Sequence, residues 1–576
     1  MRNLMVTSAE TTRRQLDQER VRLLREAGFP EIHHFRRPQE RPFLADERDQ
    51  VTILFGGLTS KHEALIRAVF QGNGYRCEVL PNPDVAACQL GKQYGNNGQC
   101  NPAYFTIGSL IQYLQSLETQ GLTRQQIIDH YVFFTAGSCG PCRFGMYEAE
   151  FRYALQNAGF GGFRVLLFQQ TDGIKAASGE PGLKFTVNFG MGMLNALNLG
   201  DVMHGLIYQI RPFEINSGET DRVFQEAMDS LCITLRGRTP FEFMRDAPPW
   251  LTERLANKSG LRNTLSILCK IYDHLYGKEY LDALAACRDR LNTIEVDRMK
   301  VKPVVKVTGE FWAQTTEGDG NFQMFQFLER EGAQVLVEPI ATWIAYMIHL
   351  ARLAAKSRRR VDADEITFRK KMIMLSLGET LWTYFYHRIG RHLGGIAPHL
   401  VPQEALSRLA HPFFHQLTRG GEGYMEVGKN VYYSVNRLCH MVLALKPFGC
   451  MPSAQSDGVQ SVVTNRFPEM IFLPIETSGE GAVNAHSRVQ MALGEAKIRA
   501  RAEFDTALKS TGKPLSEIQD YVADHPELRR PFSRVPHRPR IAGTAAQFVL
   551  HVNDLINSRR RFWRFARAAA PDGAPV

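Results

Sequence analysis

No stretch of this sequence is apolar for long enough to cross a bilayer. The longest run, residues 340–355, is interrupted by His349 and Arg352 and falls short of a span, so it predicts a buried helix. The opening residues MRNLMVTSAETTRRQLDQER hold no apolar segment of the kind that marks a secretory leader, and the expected location is the cytoplasm. No internal repeat in the range of about 20–50 residues is present, which excludes solenoids and propellers. A phosphate loop of the G-x-x-x-x-G-K-[ST] type is missing as well. The turn that approaches it, Gly56-Gly57-Leu58-Thr59-Ser60-Lys61, has the wrong spacing and is expected to be a weak phosphate or carboxylate contact at best. Paired C-x-x-C knuckles, the usual mark of a zinc site, are also absent, since there is a single C-x-x-C.

What is present is an ordinary globular composition, 44% hydrophobic and 22% charged over 576 residues, long enough for two or more domains. The net charge of +10 suits an anionic partner without choosing among an acidic protein, a nucleotide, a coenzyme A thioester and nucleic acid. Ten cysteines without an export signal indicate a reducing compartment and thiols kept for packing or ligation.

Residues 1–49 read as a basic extension, with a helical pattern over 15–27 and a proline-containing linker. Residues 50–247 alternate strand and helix patterns as a doubly wound sheet does, with VTILFGG opening the first strand. Residues 248–300 predict helices in which Cys269 and Cys287 are core thiols. A second α/β lobe spans 301–495, with a helical insertion at 342–417, a helix predicted over 432–445 and a strand at EMIFLPIE. Residues 496–576 are helical and basic, and end with Arg559, Arg560, Arg561, Arg564 and Arg567 among Phe562, Trp563 and Phe565. That end reads either as a packed surface helix or as a docking segment for an acidic protein, a membrane surface or nucleic acid.

The cysteines carry the most specific signal. In TAGSCGPCRFGMY, Cys139 and Cys142 sit in a glycine-rich turn between a strand pattern and an amphipathic helix, the place where open α/β sheets bind ligands. Cys100-Asn101-Pro102, Cys139-Gly140-Pro141 and Cys450-Met451-Pro452 share the form C-x-P, of which average usage gives about 0.5 cases by chance. Proline stiffens a helix entrance and leaves neighbouring amides free to point at sulfur. Asn101 is expected to cap the helix that Pro102 begins. Gly137, Gly140 and Gly145 would let amides approach the thiolates, and Arg143 would offset their charge; turn chemistry alone explains each equally well. Three chemistries remain open for this set: an iron–sulfur cluster, a structural zinc site in a non-catalytic scaffold, and a C-x-x-C dithiol oxidoreductase. Glu310 and Asp319, in GEFWAQTTEGDGN, are weaker candidates for positioning substrate or water, with capping of the helix near Asn321 as the alternative. Arg488 is an anion contact or a surface salt bridge. Cys439 reads as core, and His387 and His392 are not expected to bind metal.

The runs GNNGQCNPAYFTIGSLIQYL, GSCGPCRFGMY, VTGEFW with LEREGAQVLVEP, and KPFGCMPSAQSDGVQ resemble blocks of proteins related to 2-hydroxyacyl-CoA dehydratases and their CoA-substrate-specific activases. They are most similar to the domain that follows the activator ATPase, and the resemblance covers residues 50–500. It implies two flavodoxin-like lobes with helical insertions and a [4Fe–4S] cluster in the cleft between them, held by Cys100, Cys139, Cys142 and Cys450, with Cys88 as a further candidate. It also implies electron transfer or a reductase role on a CoA thioester or other small substrate. The D-x-G-S-T phosphate motif of the long relatives is not found here, so a separate activator ATPase is the implied partner. A membrane span and nucleic acid are not expected, and an oligomer is compatible with the chain.

Overall fold

The computed structural model describes residues 15–16, 18–24, 26–27, 40–137, 142–169, 182–255, 258–359, 364–418 and 420–568. Met1–Glu40 forms one unit, helical at the described positions from 15 to 26, and Arg41–Val576 forms another. Two parallel four-stranded sheets organise the larger unit. The first contains β1 (Thr52–Phe55), β2 (Arg76–Val79), β3 (Tyr131–Gly137) and β4 (Arg164–Gln169) in the order β2-β1-β3-β4. The second contains β5 (Val304–Gly309), β6 (Gln334–Leu336), β7 (Met441–Pro447) and β8 (Phe472–Thr477) in the order β6-β5-β7-β8. The two orders are the same, and each reverses its direction of growth between its first and third strands, as Rossmann-like α/β sheets do. The expected α/β class with two such sheets is the one this chain adopts.

Alternation along the strands explains the layering. Ile53, Phe55 and Val132 face a central core shared with the helix Val187–Ile210, while Leu54 and Phe133 face an outer core under the helices Asn101–Thr119 and Tyr147–Asn157. In the second sheet Val305, Val307 and Leu443 join the same central core, and Val442 turns to an outer core under the helix Tyr424–Val435. Parallel strands covered on both faces in this way read as nearly continuous apolar runs. The helix Val187–Ile210 is buried on most of its surface and serves both sheets. Among the described residues no helix is long and apolar enough to cross a membrane.

Two expectations need correction. Residues 441–447 are β7 rather than the end of a helix over 432–445; the helix is Tyr424–Val435, and all seven residues of MVLALKP are buried. A short apolar run has no period that separates a central strand from a buried helix. Asn101 is not the cap of its helix: Cys100 occupies the cap, and the Asn101 side chain instead donates to Thr477 O across the sheets at 2.8 Å. The basic end packs through a core of its own, as one of its two readings had it. The helix Ala482–Thr511 runs through residue 495 without a break, and Phe548, Val549 and Val552 of Thr544–Ala568 are buried with Phe504 and Ile518. The arginine and aromatic side chains from 559 to 567 lie outside the described residues.

The sheets meet through their C-terminal edges, and carboxylates on helix N-termini hold them there. Glu317, after β5, accepts from Ser60 N at 2.8 Å and from Lys61 Nζ at 2.6 Å, where the helix Ser60–Gly72 starts after β1. Asp319 accepts from Val85 N at 3.1 Å at the start of the helix Val85–Tyr94 after β2. In the other direction Asp201, on the central helix, accepts from Ile340 N at 2.7 Å and Ala341 N at 2.8 Å, where the helix Ile340–Ser357 leaves the second sheet. Its Oδ1 also lies 3.1 Å from His62 Nε2, whose Nδ1 is 2.7 Å from Thr59 Oγ1. Each contact satisfies helix N–H groups that have no partner within the helix and sets a negative charge at the positive end of its dipole.

Replacing Asp201 with alanine leaves these donors without an acceptor in a dry interface and is expected to destabilise the fold by about 3 kcal/mol. Asp319→Ala, at a half-buried position, should cost about 1 kcal/mol. Urea unfolding of the two variants measures the difference, and equal midpoints would remove the special role given to Asp201.

Candidate functional site

Apart from Cys88, each described cysteine of the candidate set stands where a chain segment enters a helix. Cys100 is the cap of Asn101–Thr119 and Cys450 the cap of Met451–Arg466, both with proline in the first turn, and Cys142 precedes the short 3-10 turn Arg143–Met146. Cys139 and Gly140 lie outside the described residues. The turn with Cys142 follows β3 and Cys450 follows β7, which are the third strands of two sheets of identical order. The two positions are therefore topological equivalents at the two switch points.

The backbone brings these segments together. Asn101 N donates to Phe448 O at 3.1 Å. Gly449, at φ +73°, lies so close to the first lobe that a Cβ there would sit 3.3 Å from Cys100 Cα. A side chain at 449 would thus push apart the two loops that carry Cys100 and Cys450. The Cys142 and Cys100 thiols influence each other electrostatically, and the Glu310 carboxylate acts on Cys100, Cys142 and Cys450 alike.

A backbone amide of the adjoining turn acts on each of the three sulfurs in favour of its thiolate: Ala103 on Cys100, Phe144 on Cys142 and Ser453 on Cys450. Cys100 Sγ also lies 3.0 Å from Tyr147 Oη. These contacts favour the thiolate, but burial outweighs them and holds all three thiols above their ordinary range, Cys142 at about 11. Among the described residues no three His, Cys, Asp or Glu side chains are grouped to hold a metal ion. A zinc ion would draw its sulfurs to about 2.3 Å from one centre, whereas a cuboidal cluster binds each at a separate iron.

Beside the thiols stands a set of acidic side chains that local sequence reasoning passed over, except for Glu310. Glu310 directly follows β5; its N–H donates to Leu445 O at 3.0 Å and its Oε2 accepts from Ala313 N at 2.9 Å. Glu422 is 1% exposed, and among the described residues neither of its carboxylate oxygens has a hydrogen-bond partner. It sits between Gly421 and Gly423, both at φ +51°, a conformation that side chains other than glycine rarely adopt. Burial raises the pKa of Glu310 and raises that of Glu422 well above the carboxylate range, and negative neighbours add to both shifts. Glu426 accepts from Ser456 Oγ at 2.7 Å and pairs with Lys446 at 3.0 Å. Behind them Lys306 pairs with Glu338 at 2.6 Å. Lysines inside the apolar runs VVKVTG and MVLALKP were the available signal for this layer.

Of the remaining candidates, Arg143 and Gly145 belong to the Cys142 turn and Arg488 lines a cavity with Cys450, whereas Cys88 and Asp319 lie elsewhere. Arg143 donates to Gly98 O, and its charge acts on Cys100. Gly145 N donates to Cys142 O at 3.2 Å within the turn. Cys88 is buried in a separate apolar cluster with Tyr104, Phe105 and Trp312, and the charges that act on it are those of Lys92 and Glu480. Asp319 is taken up by the interface contact already described. Arg488 donates to Pro474 O at 3.0 Å.

The glycine turn after β1 is closed from within. Gly57 N and Leu58 N both donate to Glu63 Oε1, at 2.9 and 3.1 Å, so a side-chain carboxylate takes the place a phosphate or carboxylate ligand would occupy. Burial pushes the Glu63 carboxyl from 4.5 up to about 8. The folded protein keeps this proton while the unfolded chain releases it, so between pH 4.5 and about 8 stability falls as pH rises. Glu63→Gln keeps the acceptor and removes the titration. Its unfolding free energy is expected to vary less over that range and to exceed that of the native chain at pH 8 by on the order of a few kcal/mol. Parallel pH profiles for the two proteins would contradict this.

Neither a protein-family model nor a curated protein matches the chain.

Proposed function

We propose that this chain is an iron–sulfur protein of the 2-hydroxyacyl-CoA dehydratase and activase-related group, in which Cys100, Cys139, Cys142 and Cys450 hold a [4Fe–4S] cluster between the two sheets. The observation that carries the reading is the set of three described cysteines at helix entrances of both sheets, all acted on by the Glu310 carboxylate and each by an amide of its own turn that favours the thiolate. Such amides stabilise thiolates and tune cluster potentials. The cluster would supply one-electron chemistry at low potential.

The surrounding side chains have definable tasks. Amides of Ala103, Phe144 and Ser453 and the Tyr147 hydroxyl stabilise negative charge on sulfur, and Arg143 offsets part of it. Glu310 and Glu422 hold protons in a buried setting, which equips them to deliver protons to a reduced small molecule, with a CoA thioester as the substrate class. With no phosphate loop of its own, the chain would receive electrons from a separate ATP-hydrolysing activator in the cytoplasm.

Anaerobic purification followed by iron and sulfide analysis tests this. About four iron and about four acid-labile sulfide per chain are expected, with an EPR signal on reduction. Cys450→Ser should lose most of the iron, whereas Cys88→Ala should keep it. Zinc without sulfide would favour the structural scaffold instead, and a metal-free protein that reduces disulfides would favour the dithiol reading.

A further inference from the structure

A second cavity, of about 870 Å³, opens at the far edge of the second sheet. It is lined by Met441 and Val442 at the start of β7, whereas Cys450 lies beyond its end. A seven-residue strand separates the two places by roughly 20 Å. Four arginines line the cavity: Arg437, Arg466, Arg499 and Arg540. Its acidic members are Glu469 and Glu503.

The internal charges do not cancel. Glu503 is spent on Ala542 N at 3.0 Å, Gly543 N at 2.6 Å and His440 Nε2 at 3.3 Å. Val304 N donates to His440 Nδ1, so the imidazole proton is on the nitrogen that faces Glu503. Arg499 is engaged by Glu495 and by Glu469 O. Arg437, Arg466 and Arg540 form no ion pair among the described residues, which leaves three guanidinium groups against the carboxylate of Glu469. Guanidinium forks match phosphate oxygens in pairs.

Two of these arginines stand where the backbone favours glycine. Arg437 has φ 49° and Arg540 φ 63°. Arg437 follows the helix Tyr424–Val435 in the arrangement that usually ends in glycine, with Leu438 N bonded to Tyr433 O at 2.9 Å and Arg437 N to Ser434 O at 3.1 Å. A side chain that costs stability at both positions is the pattern of residues kept for a ligand. The rest of the wall suits an organic body: Phe467, Met470, Ile471 and Ile541 are apolar, and Ser434 and Thr506 bring hydroxyls. The volume falls in the range of small-molecule sites.

From this juxtaposition of uncommitted arginines with an apolar floor, we infer that the cavity binds a nucleoside diphosphate, with the phosphates on Arg437, Arg466 and Arg540 and the base against the Phe467 side. The site is distinct from the thiol centre and does not depend on it. Calorimetric titration of the full chain with ADP, pyrophosphate and adenosine tests the assignment. ADP is expected to bind at submillimolar concentration, and pyrophosphate and adenosine at least tenfold more weakly. Arg437→Gly and Arg540→Gly should each weaken ADP at least tenfold while the unfolding midpoint stays or rises. Arg466→Gln gives the same reading if either glycine variant fails to fold. No heat with ADP at millimolar concentration would overturn the proposal, as would equal affinity for pyrophosphate or unchanged affinity in the variants.

Discussion

Carboxylates seated on helix N-termini across the gap between the sheets are the constraint on which the rest of this architecture depends. A shared apolar core draws two sheets together but does not orient them, because burial of apolar surface has no direction. Asp201, Glu317 and Asp319 supply direction: each accepts hydrogen bonds from the first amides of a helix that belongs to the other half. Since those helices leave the C-terminal ends of β1, β2 and β6, the contacts can form only when the two C-terminal edges face each other. The approach of Gly449 to Cys100 follows from that orientation.

Identical strand order makes the differences between the halves informative. The loops after β3 and β7 both carry cysteine. The loops after β1 and β5 diverge: the first is filled by its own Glu63, while the second begins with Glu310 beside the thiols. The first half thus closes its phosphate-like turn and contributes sulfur, and the second contributes sulfur together with the acidic wall. A ligand at this edge would meet soft donors from both sides and, from one, carboxyls whose pKa burial raises.

Much of this was legible in the sequence, for identifiable reasons. The alternation of strand and helix patterns and the C-x-P turns are local, so they show without coordinates. β7 did not show, because MVLALKP lacks any period. The interface role of Asp319 did not show either, because the helix it caps begins 234 residues earlier in the chain. Glu422 and Glu426 look like ordinary surface charges in GGEGYMEVGKN, and only the neighbours that cover them reveal their burial. Cys88 is the converse case: proximity in sequence to Cys100 suggested a shared role, and the fold turns it into a different cluster.

The buried charges of the second sheet have an arrangement that stability alone does not explain. Replacing a buried ion pair by apolar side chains is often neutral or favourable, so pairs such as Lys306–Glu338 and Lys446–Glu426 are poor devices for holding a fold. They do set the local field. Lys306 pairs with Glu338 and Lys446 with Glu426, and Lys429 adds its charge to Glu338 at 3.4 Å. Glu310 and Glu422 form no ion pair among the described residues, and fixed negative charge next to them makes a further ionisation costly. The lysines thereby pair with the rear carboxyls, while burial raises the pKa of the unpaired front carboxyls Glu310 and Glu422, and the front layer is the one beside the three sulfurs.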